Sequence, residues 1–304
     1  MLSFPLIYHD GYDLNFGDHV FPSVKYKLIR ERMLGEGFAA PDDFLQPEPS
    51  TDEDLMLVHD RGWVTRLKQG TLSYDEILQL EIPYSRPMVE AFWLAAGGTS
   101  LAAQCALKSR AGFNIGGGFH HAFPGHGEGF CAIHDVAVAI RKLQIGKRIE
   151  RALVVDVDVH HGNGTAAIFA HDPSVYTLSI HQFNNYPAVK PPSRVDIHLK
   201  DGTGDEDYLD RLRGPVETAL DQFRPDLLMY VAGADPYEHD KLGGLSLTLN
   251  GLFERDLMVM RAAVSRNVPV CVTLAGGYAL KLEDTVTIHT NTAKAAAKAL
   301  GRDT

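Results

Sequence analysis

No block of Lys or Arg occurs in the 304 residues, and the formal net charge is -10. A phosphate-binding surface needs clustered cations, so a nucleic-acid partner is excluded. The three cysteines, Cys105, Cys131 and Cys271, form no CxxC pair and cannot all pair with one another. That gives no disulfide framework and suits a reducing compartment. No apolar run approaches the ~20 residues that span a bilayer. The opening MLSFPLIYHDGYD has no basic leader and meets His9 and Asp10 too early for a signal peptide. The expectation is a soluble, cytoplasmic protein.

What is present is an ordinary globular composition, 45% hydrophobic and 22% charged, enough to bury a large core. Runs rich in β-branched residues predict strands at Leu6–Tyr8, Phe113–Ile115, Ala152–Val157, Val175–Ile180, Leu227–Val231 and Val270–Leu274. Helical patterns lie near 23–34, 52–68, 85–109, 132–143, 164–170, 206–223, 251–266 and 283–299. Continuous apolar strands alternating with helices predict an α/β fold, with a mostly parallel sheet flanked by helices. Ser23 is placed to cap the first helix, and Asn267 and Pro269 separate the 251–266 helix from the next strand. Segments 41–55 and 181–196 read as long loops. With no repeat or composition break, residues 1–304 read as a single domain.

Five predicted strands run directly into polar or glycine-rich chemistry: GGGFHH, HHGNG, His181, AGAD and AGGY. In parallel sheets the ligand site lies outside the carboxyl ends of the strands, so these ends predict one shared site. The stretch LVVDVDVHHGNGT (153–165) is the sharpest of them. An unpaired buried charge is costly, so two Asp and two His closing a valine run need a reason. If the strand continues, Asp156, Asp158 and His160 share a face, with Asp158 and His160 roughly 7 Å apart. Both could then converge on one cation, with Asp235 of YVAGAD as a third ligand. That set leaves an open position, the arrangement of a catalytic zinc site. Each piece alone has a plainer reading: a hydrogen-bonded cap, an ion pair, a helix N-cap at Asp235, packed histidines at 120 and 121, or a core tyrosine at 278. All of these would have to hold together to displace the metal reading.

The motifs YHDGY, VFPSVKY, GGTSLAA, GGFHHA, DVDVHHGNGT, SIHQF, AGADPYEHDKLGGLSLT and LAGGY span nearly the whole chain. Together they resemble the zinc-dependent histone deacetylases of the arginase–deacetylase fold, closest to class IV and its bacterial relatives. The resemblance implies zinc ligation by Asp158, His160 and Asp235, paired catalytic histidines at His120 and His121, and Tyr278 as donor to the reacting carbonyl. Asp156 falls where the family pairs a carboxylate with the first histidine. With Ser179 and the backbone around Asp158, His160 and Ile180, it also matches a structural site for K+ or Na+. Asn163 stands where the first class has an aspartate beside the second histidine. A neutral amide there implies a lower pKa for His121. Phe130 and Gly129 match a narrow acyl-lysine tunnel, with Tyr186 rather than Phe183 as the opposite wall. Gly276 and Gly277 would let Tyr278 swing in. No match is evident for the acidic rim residue that grips the substrate backbone in first-class deacetylases.

The activity implied is hydrolysis of an acetyl or longer acyl amide on a lysine of a protein or peptide. Acetylpolyamine amidohydrolase is the near alternative, with Glu238 and Asp240 considered as polyamine attractors and Asp240 read as structural. A two-manganese ureohydrolase would need a carboxylate at Gly162. A non-catalytic acyl-lysine binder would have lost a ligand, a histidine or the tyrosine, and none is missing. Ferrous iron suits the mixed N/O set as well as zinc.

Overall fold

The structure, a computed structural model, describes residues 2–14 and 16–301. The strands are β1 (Leu6–Ile7), β2 (Phe44–Leu45), β3 (Ala111–Asn114), β4 (Ala152–Asp156), β5 (Val175–Gln182), β6 (Val195–Leu199), β7 (Leu227–Val231) and β8 (Val270–Thr273). They form one sheet in the order β2-β1-β3-β8-β7-β4-β5-β6. Every pairing is parallel. The carboxyl ends of β3, β4, β5, β7 and β8 therefore open on the same edge of the sheet.

The α-helices are α1 (Lys25–Gly35), α2 (Asp52–Leu55), α3 (Arg61–Gln69), α4 (Tyr74–Leu80), α5 (Arg86–Ser109), α6 (Asp135–Ile145), α7 (Asn163–Phe169), α8 (Asp205–Phe223), α9 (Leu249–Ser265) and α10 (Leu282–Ala299). Strand β4 shows why its sequence is apolar throughout. Ala152 and Val154 pack into a cluster with Ala102, Ala103 and Ala106 of α5 and Ile140 of α6. Leu153 and Val155 face the opposite cluster, with Leu212 of α8, Leu257 of α9 and Ala293 of α10. A strand buried on both faces keeps no polar alternation.

The differences from expectation have local causes. Edge strand β6 is only partly buried and reads VDIHL, without a valine run. Strand β2 has two residues. Both are invisible to a search for continuous apolar segments, and they give structure to stretches expected to be loops. The predicted 52–68 helix breaks between Leu55 and Arg61. Helix α4 was missed although Ser73 and Glu76 form a reciprocal capping box at its start. Ser23 does not cap α1, whose N-cap is Val24; its hydroxyl is engaged by Asp13 instead. Asn267 does break the chain after α9, in the left-handed region at φ 58°.

Candidate active site

The strand β4 stops at Asp156, so Asp158 and His160 lie on the turn that follows, not on a strand face. The turn brings them together through short-range bonds. Asp158 N–H donates to Asp156 Oδ1 at 3.2 Å and His160 N–H to Asp158 Oδ1 at 3.0 Å. Asp235, on the turn after β7, accepts Val159 N–H on Oδ1 at 2.8 Å. His160 Nδ1 then sits 3.0 Å from Asp158 Oδ1 and 3.3 Å from Asp235 Oδ2. One ligand atom from each of the three residues lies within 4.8 Å of the others, all buried.

These residues fit a divalent cation. Asp235 Oδ2 is buried without a hydrogen-bond partner, which is costly unless something positive satisfies it. Two carboxylates face one imidazole. Burial, then Asp158, pushes Asp235 up to about 7. Burial opposes charge on His160, but Asp158 and Asp235 outweigh it and hold its proton up to about 10. A pocket that grips a proton so firmly is short of positive charge. Gly276 completes the cradle. Its N–H donates to Asp158 Oδ2 at 2.9 Å, and a Cβ there would strike Asp235 Oδ2 and lie 2.7 Å from Asp158 Oδ2.

The tandem histidines hang on the loop after β3. Gly117 and Gly118 adopt φ of 70° and 80°, a turn few other residues tolerate. Asp135, at the start of α6, clamps it by accepting Gly118 N–H at 2.9 Å and Phe119 N–H at 2.8 Å. The His120 and His121 rings lie 4.0 Å apart, yet their surroundings differ. Burial disfavours the charged form of His120, but Asp156 at 2.7 Å and Asp158 outweigh it and raise its pKa to about 9. His121 goes the other way, held well below its usual value by burial and by the positive neighbours His120 and His160. Adjacent groups driven apart in this way divide the charged and basic roles.

Asn163, the first residue of α7, faces His121 Nδ1 through Oδ1 at 2.7 Å. Its Nδ2 donates to Glu128 Oε1, which also accepts Tyr186 O–H at 3.1 Å. Glu128 belongs to none of the motifs that mark the other site residues. Its only signal was a carboxylate inside GEGF, beside the tunnel residues Gly129 and Phe130.

Gly129, Phe130, His121, His160, Tyr186 and Tyr278 line a cavity of about 350 Å3. Tyr186 rather than Phe183 does so; Phe183 is 55% exposed and lines a different hollow. The Tyr278 ring packs against Phe21 and Phe130, and its N–H donates to Asp240 Oδ2 at 2.7 Å. That bond anchors the Tyr278 backbone beside the two glycines. Gly276 serves the carboxylates, and Gly277 adopts φ 147°. Asp240 also accepts Leu242 and Gly243 N–H, so it is a loop anchor. Exposed Glu81 puts a carboxylate on the cavity wall. Asp156 and Ser179 are register partners across β4 and β5, and Ser179 Oγ lies 2.9 Å from His181 Nδ1. Lys25, buried, donates to Ala275 O at 2.7 Å and supports the loop before Gly276. No helix among the described residues is long and apolar enough to cross a membrane.

Residues 19–293 match the histone deacetylase domain. An uncharacterized protein of Picosynechococcus is 39% identical over 95% of this chain and 96% of its own. Histone deacetylase 2 of Arabidopsis thaliana is 31% identical over 90% of this chain and 74% of its own. The acetoin utilization protein AcuC of Staphylococcus aureus is 30% identical over 86% and 72%. The solved HD domain of HDA15 superposes with TM-score 0.82 at 26% identity, covering 98% of this chain and 91% of that one. With the parallel sheet and the cavity at its carboxyl edge, these similarities establish that the chain belongs to the histone deacetylase family, of hydrolytic, generally metal-dependent deacetylases.

Proposed function

We propose that the chain is a zinc-dependent amidohydrolase that removes an acetyl or longer acyl group from the ε-amino group of lysine. The observation that carries this is the buried triad Asp158, His160 and Asp235 beside a cavity also lined by His121 and Tyr278. Those three residues would hold the ion. When bound, it would polarise the acyl carbonyl and acidify a water.

The remaining work belongs to side chains. His121 keeps its proton on Nδ1, toward Asn163, so Nε2 has a free lone pair. It accepts the proton of the attacking water as general base and returns it to the leaving amine. Water oxygen bonds to the acyl carbon, the C–N bond breaks, and a carboxylate and free amine leave. His120, charged between Asp156 and Asp158, supplies electrostatic support to the carbonyl oxygen as it becomes negative. Tyr278 donates its O–H to the same oxygen. A preorganised donor of this kind is worth about 3 kcal/mol. Gly129, Phe130 and Tyr186 would enclose the aliphatic stem. Asp156 and Ser179, with carbonyls of Asp158, His160 and Ile180, would hold K+ or Na+ and stiffen the strand ends beneath. The whole chain, 1–304, would act as one catalytic domain in the cytoplasm.

Glu81 at the cavity favours a second reading, an acylated polyamine, because a carboxylate there attracts a cationic substrate. Amine release from matched acetyl-lysine peptide, long-chain acyl-lysine peptide and acetylated polyamine separates the readings. Preference for a lysine peptide supports the proposal. Preference for the polyamine, lost in Glu81→Gln, supports the alternative.

A further inference from the structure

Beside the catalytic turn lies a second group of histidines. His161 follows His160, but its Nε2 faces Asp196 on edge strand β6, 3.1 Å from Oδ1. His181 of β5 packs edge-on against it, with ring centroids 4.6 Å apart. A ligand atom from each of His161, His181 and Asp196 lies within 4.8 Å of the others. His198, the register partner of His181, places Nδ1 2.9 Å from His181 Nε2. His161 and His181 are fully buried, and the Asp196 side chain is 17% exposed. All polar contacts of His161's ring gather at Nε2, where Ser193 Oγ also lies at 3.4 Å; Nδ1 has no partner.

The spacing suits a metal. Bonds of about 2.0–2.1 Å in a tetrahedral zinc site hold neighbouring ligand atoms about 3.3–3.4 Å apart. The 3.1 Å contact of His161 Nε2 with Asp196 Oδ1 is close to that edge, and the ligand atom of His181 lies within 4.8 Å of both. Two imidazoles and one carboxylate, from His161, His181 and Asp196, form an N/O set that zinc accepts, and His198, against His181, is the nearest further imidazole. Access exists too, because Asp196 and His198 line a solvent-open hollow. Lys190, the cation in that hollow, is turned onto the carbonyls of Asn185 and Pro187.

We propose that His161, His181 and Asp196 form a second, structural zinc site, separate from Asp158, His160 and Asp235, with His198 brought in from its place against His181 as the fourth ligand. It ties edge strand β6 to the catalytic turn. Asp196 Oδ2 accepts Ser193 N–H at 2.8 Å, so the same clamp holds the end of the segment that carries Tyr186. Loss of the ion loosens that cavity wall.

The test counts metal in the full chain, stripped, reloaded with excess Zn2+ and freed of loose ion by gel filtration. Wild type is expected to hold two zinc ions, Asp196→Asn one, Asp235→Asn one, and the double variant none. His198→Gln, at an exposed position, covers a failure of Asp196→Asn to fold; its second zinc should bind at least 10-fold more weakly in chelator competition. A wild type whose single zinc survives Asp196→Asn, or a second zinc undisturbed by both Asp196→Asn and His198→Gln, overturns the proposal. Asp235→Asn reports on the catalytic triad alone, so that reading and this one fail separately.

Discussion

Asn163 donates its side-chain N–H to the Glu128 carboxylate, and that bond decides which nitrogen of His121 carries a proton. A carboxylate can only accept, so the amide must turn Nδ2 toward Glu128 and Oδ1 toward His121. Oδ1 then requires a donor, which makes Nδ1 of His121 the protonated nitrogen and leaves Nε2 free. An aspartate at 163 would instead set two carboxylates face to face. Asn163→Asp should cost about 1–3 kcal/mol of stability, and adding Glu128→Gln should recover most of it. In the double variant the new charge favours protonated His121, so the acidic limb of the pH–rate profile moves to higher pH. Urea midpoints and the profile check this; an Asn163→Asp protein as stable as wild type contradicts the relay.

Gly276 lies where a methyl group would displace the Asp235 and Asp158 carboxylates. Gly276→Ala is expected to lower catalytic-site zinc affinity at least 10-fold while the protein remains folded. Chelator competition with circular dichroism on the same sample tests it. Unchanged affinity would remove the carboxylate cradle from the account.

Tyr278→Phe deletes one hydroxyl and leaves the ring against Phe21 and Phe130. The expected result is a fall in kcat of about 10²–10³-fold, with bound zinc unchanged. Equal turnover in the variant takes the tyrosine out of the chemistry.

His59 gives the fold a pH dependence away from the site. Its Nδ1–H donates to Phe123 O at 3.0 Å and its Nε2 accepts His134 N–H at 2.9 Å, so both nitrogens are used only when it is neutral. Burial lowers its pKa to about 4. The unfolded chain therefore binds the proton more readily than the folded one. The stabilisation, about 3 kcal/mol at 1.4 kcal/mol per pH unit, is complete above pH 6.5 and is lost as pH falls through about 4. In urea titrations from pH 7 to 4, His59→Gln should show a shallower loss of stability than wild type. An identical slope would show that His59 does not contribute it.

The sequence disclosed what strong patterns encode. Interior strands β4, β7 and β8 are buried on both faces, so their apolar runs stood out. Strand β6 lies at the edge with polar residues, and nothing in VDIHL separates it from a loop. Asp158, His160 and Asp235 were legible because charges at the end of a buried strand demand a partner. Their actual convergence depends on a turn, not on strand periodicity. Glu128 and Glu81 escaped because an isolated glutamate carries no local signal. Their importance comes from contacts with residues 35 and 58 positions away, in the first case, and from a place on the cavity wall in the second.

The most direct test is amine release from an acetyl-lysine peptide by wild type and Asp235→Asn, each stripped of metal and then reloaded with zinc. The account predicts turnover by wild type that vanishes on stripping and returns with zinc, and none by Asp235→Asn in either state. Turnover that survives stripping, or that Asp235→Asn retains, would contradict a metal-dependent deacetylase centred on Asp158, His160 and Asp235.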